Sequence, residues 1–317
     1  MLSQPFTPPH PLNTAVLFLV FNRPDTTRQV FEAIRKARPP RLYVAADGPR
    51  NNKEGEAKRV AEVRQIATRV DWPCEVKTLF RDQNIGCGPA VYEAISWFFK
   101  NEEMGIILED DCLPSQSFFW YCEELLDKYQ SDQRIGMISG NNHVDSRIEN
   151  TSYVFSKFFW TWGWASWRRA WVNMDFELKW EKTSYKESII KNMGYTYGSI
   201  LHWKNNIKMV RTGRVNTWDY HWFLSLSSQN QLCIFPAINL VSNVGFGDEA
   251  THTFGKAPEK YIFQKELTFP VHHPVYILPS YDFEEQFEKS NIKMPSKIRK
   301  VIPVFVKNIA KKILRKR

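Results

Sequence analysis

Between Ala15 and Ser139 short β-rich runs alternate with longer stretches whose apolar residues recur at helical spacing. Such alternation is the signature of βαβ units, and it restricts the chain to an α/β architecture with a mainly parallel sheet flanked by helices. The strands read from the pattern are 15–21, 42–46, 75–80, 105–108 and 135–139. The intervening helices are 25–37, 53–69, 89–100 and 115–129, with Pro89 and Ser115 suited to helix starts.

Beyond Tyr153 the rhythm stops and tryptophans become dense, above all in the run from Phe159 to Trp167. The expected organisation is an α/β half over 13–145, a smaller aromatic-rich half over 146–280 and a basic amphipathic tail helix over 293–317. No repeat or low-complexity linker separates the halves, so they are expected to share one core. At 317 residues, 43% of them hydrophobic, the chain has ample material for it.

In a doubly wound sheet, ligands bind beyond the carboxyl ends of the strands. Here those ends read Asn22-Arg23, Asp47-Gly48, Arg81 and Glu109-Asp110-Asp111, all polar or charged. Three adjacent carboxylates at the mouth of the apolar strand Gly105-Ile106-Ile107-Leu108 repel one another unless a cation or hydrogen-bond donors neutralise them. Mn²⁺ or Mg²⁺ suits such a cluster, because either takes one or two carboxylates and completes its shell with phosphates and water. A solvated turn with a helix-capping acid is the competing explanation.

The segment from Ile107 to Ser115, followed by Phe118-Phe119, resembles the E-D-D metal-site segment of the N-acetylglucosaminyltransferase I type of GT-A glycosyltransferase. Further resemblances follow in order. Val20 to Pro24 and Ala46-Asp47-Gly48 are similar to that family's nucleotide-contacting strand ends. Asn216 to Trp222 resembles the stretch carrying its catalytic aspartate, and Asn239 to Gly247 its donor-covering loop. The family's second acid after the tryptophan is Tyr220 here, leaving Asp219 as the only carboxylate of that stretch.

The resemblance implies a GT-A (Rossmann-like) fold and an inverting transfer of a sugar from a nucleotide-diphosphate donor, UDP-linked, to a glycan or lipid-linked acceptor. It implies that Asp111 binds Mn²⁺ or Mg²⁺ directly, that Asp110 contacts the ribose and that Glu109 lies by the donor sugar. Arg23 and Asp47 would hold the uridine, and Asp219 would be the base. Capping of the helix that follows is the alternative for Asp219. A sugar-nucleotide pyrophosphorylase is disfavoured by the lack of a glycine-rich nucleotide loop at Val20 to Pro24. A non-catalytic carbohydrate-binding or membrane-associated scaffold is the alternative from another class.

Trp160, Trp164, Trp167 and Trp171 stand at helical spacing and are expected in a core, whereas Trp162, beside Gly163, is the candidate acceptor contact. The loop from Asp82 to Pro89 lacks the third glycine of a dinucleotide fingerprint and reads as a turn. His252, His272 and His273 are candidates to assist the metal.

The formal charge of +9 is not spread along the chain. Lys293 to Arg317 holds ten basic and no acidic residues, so the remainder carries 33 basic against 34 acidic groups, or −1. That distribution argues against nucleic acid as a partner. An apolar stripe of Phe305, Val306, Ile309, Ala310, Ile313 and Leu314 among lysines and arginines fits an anionic membrane surface, with a helix docked on the parent domain as the alternative. Five cysteines without C-x-x-C spacing, and no signal-like or membrane-spanning run, lead to the expectation of a cytoplasmic protein, peripheral on the inner face of the plasma membrane.

Overall fold

A computed structural model describes residues 6–144, 148, 150–246 and 263–292. His252, Gly247 and the 293–317 tail lie outside the described residues. Among the described residues ten strands follow in chain order: β1 (Val16–Val20), β2 (Arg41–Ala46), β3 (Glu75–Phe80), β4 (Met104–Glu109), β5 (Cys112–Pro114), β6 (Ile135–Ser139), β7 (Tyr153–Ser156), β8 (Trp164–Trp167), β9 (Leu232–Pro236) and β10 (Val241–Asn243). The α-helices are α1 (Pro24–Ala37), α2 (Glu56–Ala67), α3 (Cys87–Asn101), α4 (Ser117–Lys128), α5 (Arg168–Trp171), α6 (Lys186–Asn192), α7 (Tyr197–Arg211), α8 (Asp219–Ser228) and α9 (Tyr281–Asn291).

Eight strands form one sheet in the order β3-β2-β1-β4-β8-β6-β9-β7. The block β3-β2-β1-β4 is parallel throughout, and β6 pairs parallel with β9. Strand β8 runs antiparallel to both β4 and β6 and joins the two halves. Strands from before and after residue 145 therefore lie in one sheet. A ribbon of β5 and β10 sits apart from it.

Strands at the sheet centre are buried on both faces, and their sequences show it: Val-Leu-Phe-Leu-Val of β1 is apolar at every position. Val16, Phe18 and Val20 enter one core layer while Leu17 and Leu19 enter the other. Helix α1 covers the first layer. Pro24 opens it, Asp25 lies in its first turn and Arg35 and Lys36 in its last, matching the helix dipole, while Val30, Phe31 and Ile34 face inward.

The tryptophan run corrects the reading from spacing. Trp164, Trp167 and Trp171 are buried, and Trp160 is partly so, but Trp164 to Trp167 is strand β8 rather than helix. Trp164 enters one core layer and Trp167 the other. A strand buried on both faces shows no polar alternation, and bulky residues three apart then imitate a helical stripe. Helix α3 also begins two residues before Pro89, after Gly86.

Candidate active site

Parallel pairing aligns the ends of the first strands. Leu19 of β1 faces Glu109 of β4, and Val20 faces Ala46 of β2, so the residues following each strand emerge side by side. They line a cleft of about 860 Å³ that contains Arg23, Asp47, Glu109, Asp110, Asp111, Trp162 and Asp219. The strand-end residues, Trp162 and Asp219 are therefore brought together, whereas His272 and His273 are not.

The acids are organised by Arg23, the residue just before α1. Its guanidinium forks across the cluster, donating from Nη2 to Asp110 and from Nη1 to Asp111 Oδ2 at 3.1 Å. Asp110 is buried and also accepts the Phe21 amide at 3.2 Å. Burial opposes the charge on Arg23, yet Asp110 and Asp111 hold its pKa above the usual value. Burial raises the Asp110 carboxyl to about 6 against the pull of Arg23. Glu109 is pushed well above the carboxylate range, by burial first and then by the negative charges of Asp111, Asp110 and Asp219.

The segment after β10 closes over these acids. The Val244 amide donates to the Asp111 carbonyl at 2.8 Å, and a Cβ on Gly245 would lie 2.6 Å from Arg23 Nη1 and closer still to Asp111 Oδ2. A side chain at this position would have to displace that ion pair.

Asp47 is a clamp on the loop between β3 and α3. Its carboxylate accepts from the amides of Gly48 (2.9 Å), Ile85 (3.1 Å) and Gly86 (3.1 Å) and from Asn84 Nδ2 (2.9 Å). That loop in turn rests on the segment leading to Asp219. Asn216 Oδ1 accepts from the Gly88 amide at 2.9 Å, and Gly86 has φ +88° with Asn216 Nδ2 2.6 Å from where a Cβ would be. Asn84 and Gly86, in the loop read as a turn, and Asn216, at the start of the stretch containing Asp219, line the cleft, although none was assigned a part in the site from the sequence. Glu56, fully buried, is a further unforeseen support: it accepts from Asn22 Nδ2 at 2.8 Å and pairs with Arg50.

Asp219 begins α8. One carboxylate oxygen accepts from the Tyr220 amide at 2.9 Å and from the Thr217 hydroxyl, so the side chain is oriented by the first turn of its own helix. Trp218 before it stacks on Trp164 with centroids 5.5 Å apart, anchoring the start of α8 to β8. Trp162 lies in an aromatic corner with Trp160 (5.2 Å) and Phe246 (6.1 Å). His273, by contrast, is bound to Tyr153 (3.0 Å) and Glu124 (3.1 Å), and neither His272 nor His273 lines the cleft.

The carboxylates offer oxygen donors only, which suits a hard divalent cation. Among the described residues no group of three or more His, Cys, Asp or Glu is arranged to hold a metal. The protein would then give one or two carboxylate ligands, with phosphate oxygens and water completing the shell. The residues fit Mg²⁺ or Mn²⁺ on those terms.

No protein-family model and no curated protein matches this sequence. Solved structures similar to it include the inositol-1-phosphate CTP transferase from T. maritima, at 11% identity and a TM-score of 0.36 over 71% of this chain and 85% of that one. Others are a UDP-glucose pyrophosphorylase complexed with UDP-glucose, at 10% identity and a TM-score of 0.34 over 71% and 90%, and mouse xyloside xylosyltransferase 1, at 10% and 0.34 over 71% and 84%. Likeness of this depth does not tell what the cleft binds.

Proposed function

We propose that the chain is a GT-A glycosyltransferase that moves a sugar from a nucleotide-diphosphate donor, UDP-linked, to the hydroxyl of a glycan or lipid-linked acceptor, with inversion. What carries this reading is the convergence in one cleft of the acid triplet, Arg23 and Asp47 at the strand ends and Asp219 at the start of α8.

Each group has a task that its surroundings allow. Arg23 and the loop clamped by Asp47 would hold the uridine, Asp110 the ribose, and Glu109 the donor sugar. Asp111 would hold Mn²⁺ or Mg²⁺, which when bound supplies Lewis-acid neutralisation of the leaving diphosphate. Glycosyl transfer develops positive charge at the anomeric carbon, which the triplet would stabilise once a bound cation favours its ionised form. Asp219 would accept the proton of the attacking hydroxyl, held in place by Thr217 and the Tyr220 amide. Trp162 would offer the acceptor sugar an apolar face. The tail would bring the enzyme to an anionic membrane surface.

The bond from the Tyr220 amide also satisfies a first-turn N–H of α8, and this favours a second reading, a binding scaffold that retains the fold. Asp219→Asn separates the two. For the enzyme, steady-state transfer with Mn²⁺ falls about 10²-fold or more, the usual contribution of a general base, while donor affinity is retained. Unchanged transfer, or no turnover by the wild type across a panel of nucleotide sugars, would refute the catalytic role.

A further inference from the structure

We propose that the folded part of the chain carries its own seat for an anionic lipid bilayer, made by the uncharged segment 275–281 together with Tyr195. This rests on the reading that the basic tail meets a membrane surface, and it adds a second, apolar contact.

Three observations converge. From Leu267 to Tyr281 there is no Asp, Glu, Lys or Arg. Within that stretch Val275 is 87% exposed, Tyr276 74% and Tyr281 75%, and Leu278 is exposed too. A contiguous exposed apolar surface marks a contact site. The segment is also held firmly: Pro279 bridges to Phe155 of the edge strand β7, and the Ser280 amide donates to the Phe155 carbonyl at 2.9 Å. Tyr195 joins the patch through Tyr281, with centroids 6.0 Å apart, and Lys157 Nζ lies 3.5 Å above its ring. Rigid tyrosines with a lysine among them suit the boundary between headgroups and acyl chains.

The patch is tied to both the tail and the cleft. Helix α9 starts at Tyr281 and runs about 15 Å to the root of the tail, with its ten basic residues. On the exposed side of α9 stand Asp282 and the Glu285–Lys289 pair, so attraction to anionic lipid comes from the tail and insertion from the patch. In the other direction the rings of Tyr195, Phe158, Phe287, Trp160 and Trp162 follow one another at 4.8 to 6.4 Å. One aromatic layer therefore links the patch to the proposed acceptor end of the cleft.

The test is co-sedimentation of the full chain with phosphatidylglycerol-containing vesicles and with phosphatidylcholine alone, at low and high salt. The triple variant Val275→Ser, Tyr276→Ser, Leu278→Ser should bind the anionic vesicles about tenfold more weakly or worse, with salt sensitivity and melting temperature unchanged. Vesicle binding equal to the wild type would assign all of it to the tail, and tighter binding would mean that the tail docks on the patch. Conversion of a dimer to a monomer without a change in vesicle binding would assign the patch to a second copy. Any of these, or a wild type that binds no vesicles, overturns the proposal. Donor turnover is read separately in solution, so its absence counts against the glycosyltransferase reading without touching the membrane seat.

Discussion

Gly245 is the position where a single methyl group says most about the cleft. Its added Cβ would press on the Asp111 carboxylate and stand 2.6 Å from the Arg23 guanidinium. Something must shift, and the flexible partner is the ion pair itself, not the backbone held by the Val244–Asp111 bond. Gly245→Ala is therefore expected to keep the fold while weakening nucleotide-sugar binding about tenfold, since about 1.4 kcal/mol of displaced contact is enough. Calorimetric titration with the donor checks it, and affinity equal to the wild type would mean that the segment after β10 does not govern the acids. Of the residues around it, the triplet and Arg23 were legible in the sequence because each ends a recognisable strand. The clamp role of Asp47 was not, because its partners Asn84, Ile85 and Gly86 are brought to it by the pairing of β2 with β3, which no local pattern records.

Among the elements, α8 carries both the candidate base and a buried titratable group. His221 stacks on Phe176, with centroids 4.5 Å apart, and burial lowers its pKa; His202 on α7 is lowered for the same reason. A histidine kept neutral in the folded state takes up a proton more readily when unfolded. The unfolded chain then binds more protons below an ordinary histidine pKa of about 6.5, so stability falls as pH drops through that value towards the lowered folded pKa. Thermal melts between pH 7.5 and 5 should show this loss, and His221→Phe, which preserves the stack, should flatten part of it. An unchanged slope would show that His221 titrates alike in both states. Elements were most legible where one face meets solvent, as in α1, whose apolar stripe and charged ends agree. They were least legible at β8, where burial on both faces removes the alternation and tryptophans at 164 and 167 suggested a helix.

For the whole molecule, the sequence divided the chain where composition changes, yet the sheet does not divide there. Strand β8 sits between β4 and β6, so the aromatic half completes the sheet in which the carboxyl end of β4 carries the acids. The α/β class was legible because β1 to β4 form a parallel block with helices between them. The insertion of β8 was not, because it depends on pairing between residues about 60 apart. The same pairing brings α8, through the Trp164–Trp218 stack, to the mouth of the parallel block. The cleft is thus a product of the complete sheet, with the acids supplied by one half and Asp219 by the other. The central claim is that this cleft binds a nucleotide sugar through a divalent cation at Asp111. Thermal unfolding of the wild type and of Asp111→Asn, with UDP-, GDP- and dTDP-sugars in the presence and absence of Mn²⁺, tests it most directly. A ligand at 100 times its Kd adds about 2.7 kcal/mol of apparent stability. The account predicts a rise in Tm for the wild type with a UDP-sugar and Mn²⁺ together, and its loss in Asp111→Asn. No shift with any nucleotide sugar, or the same shift in Asp111→Asn, would contradict it.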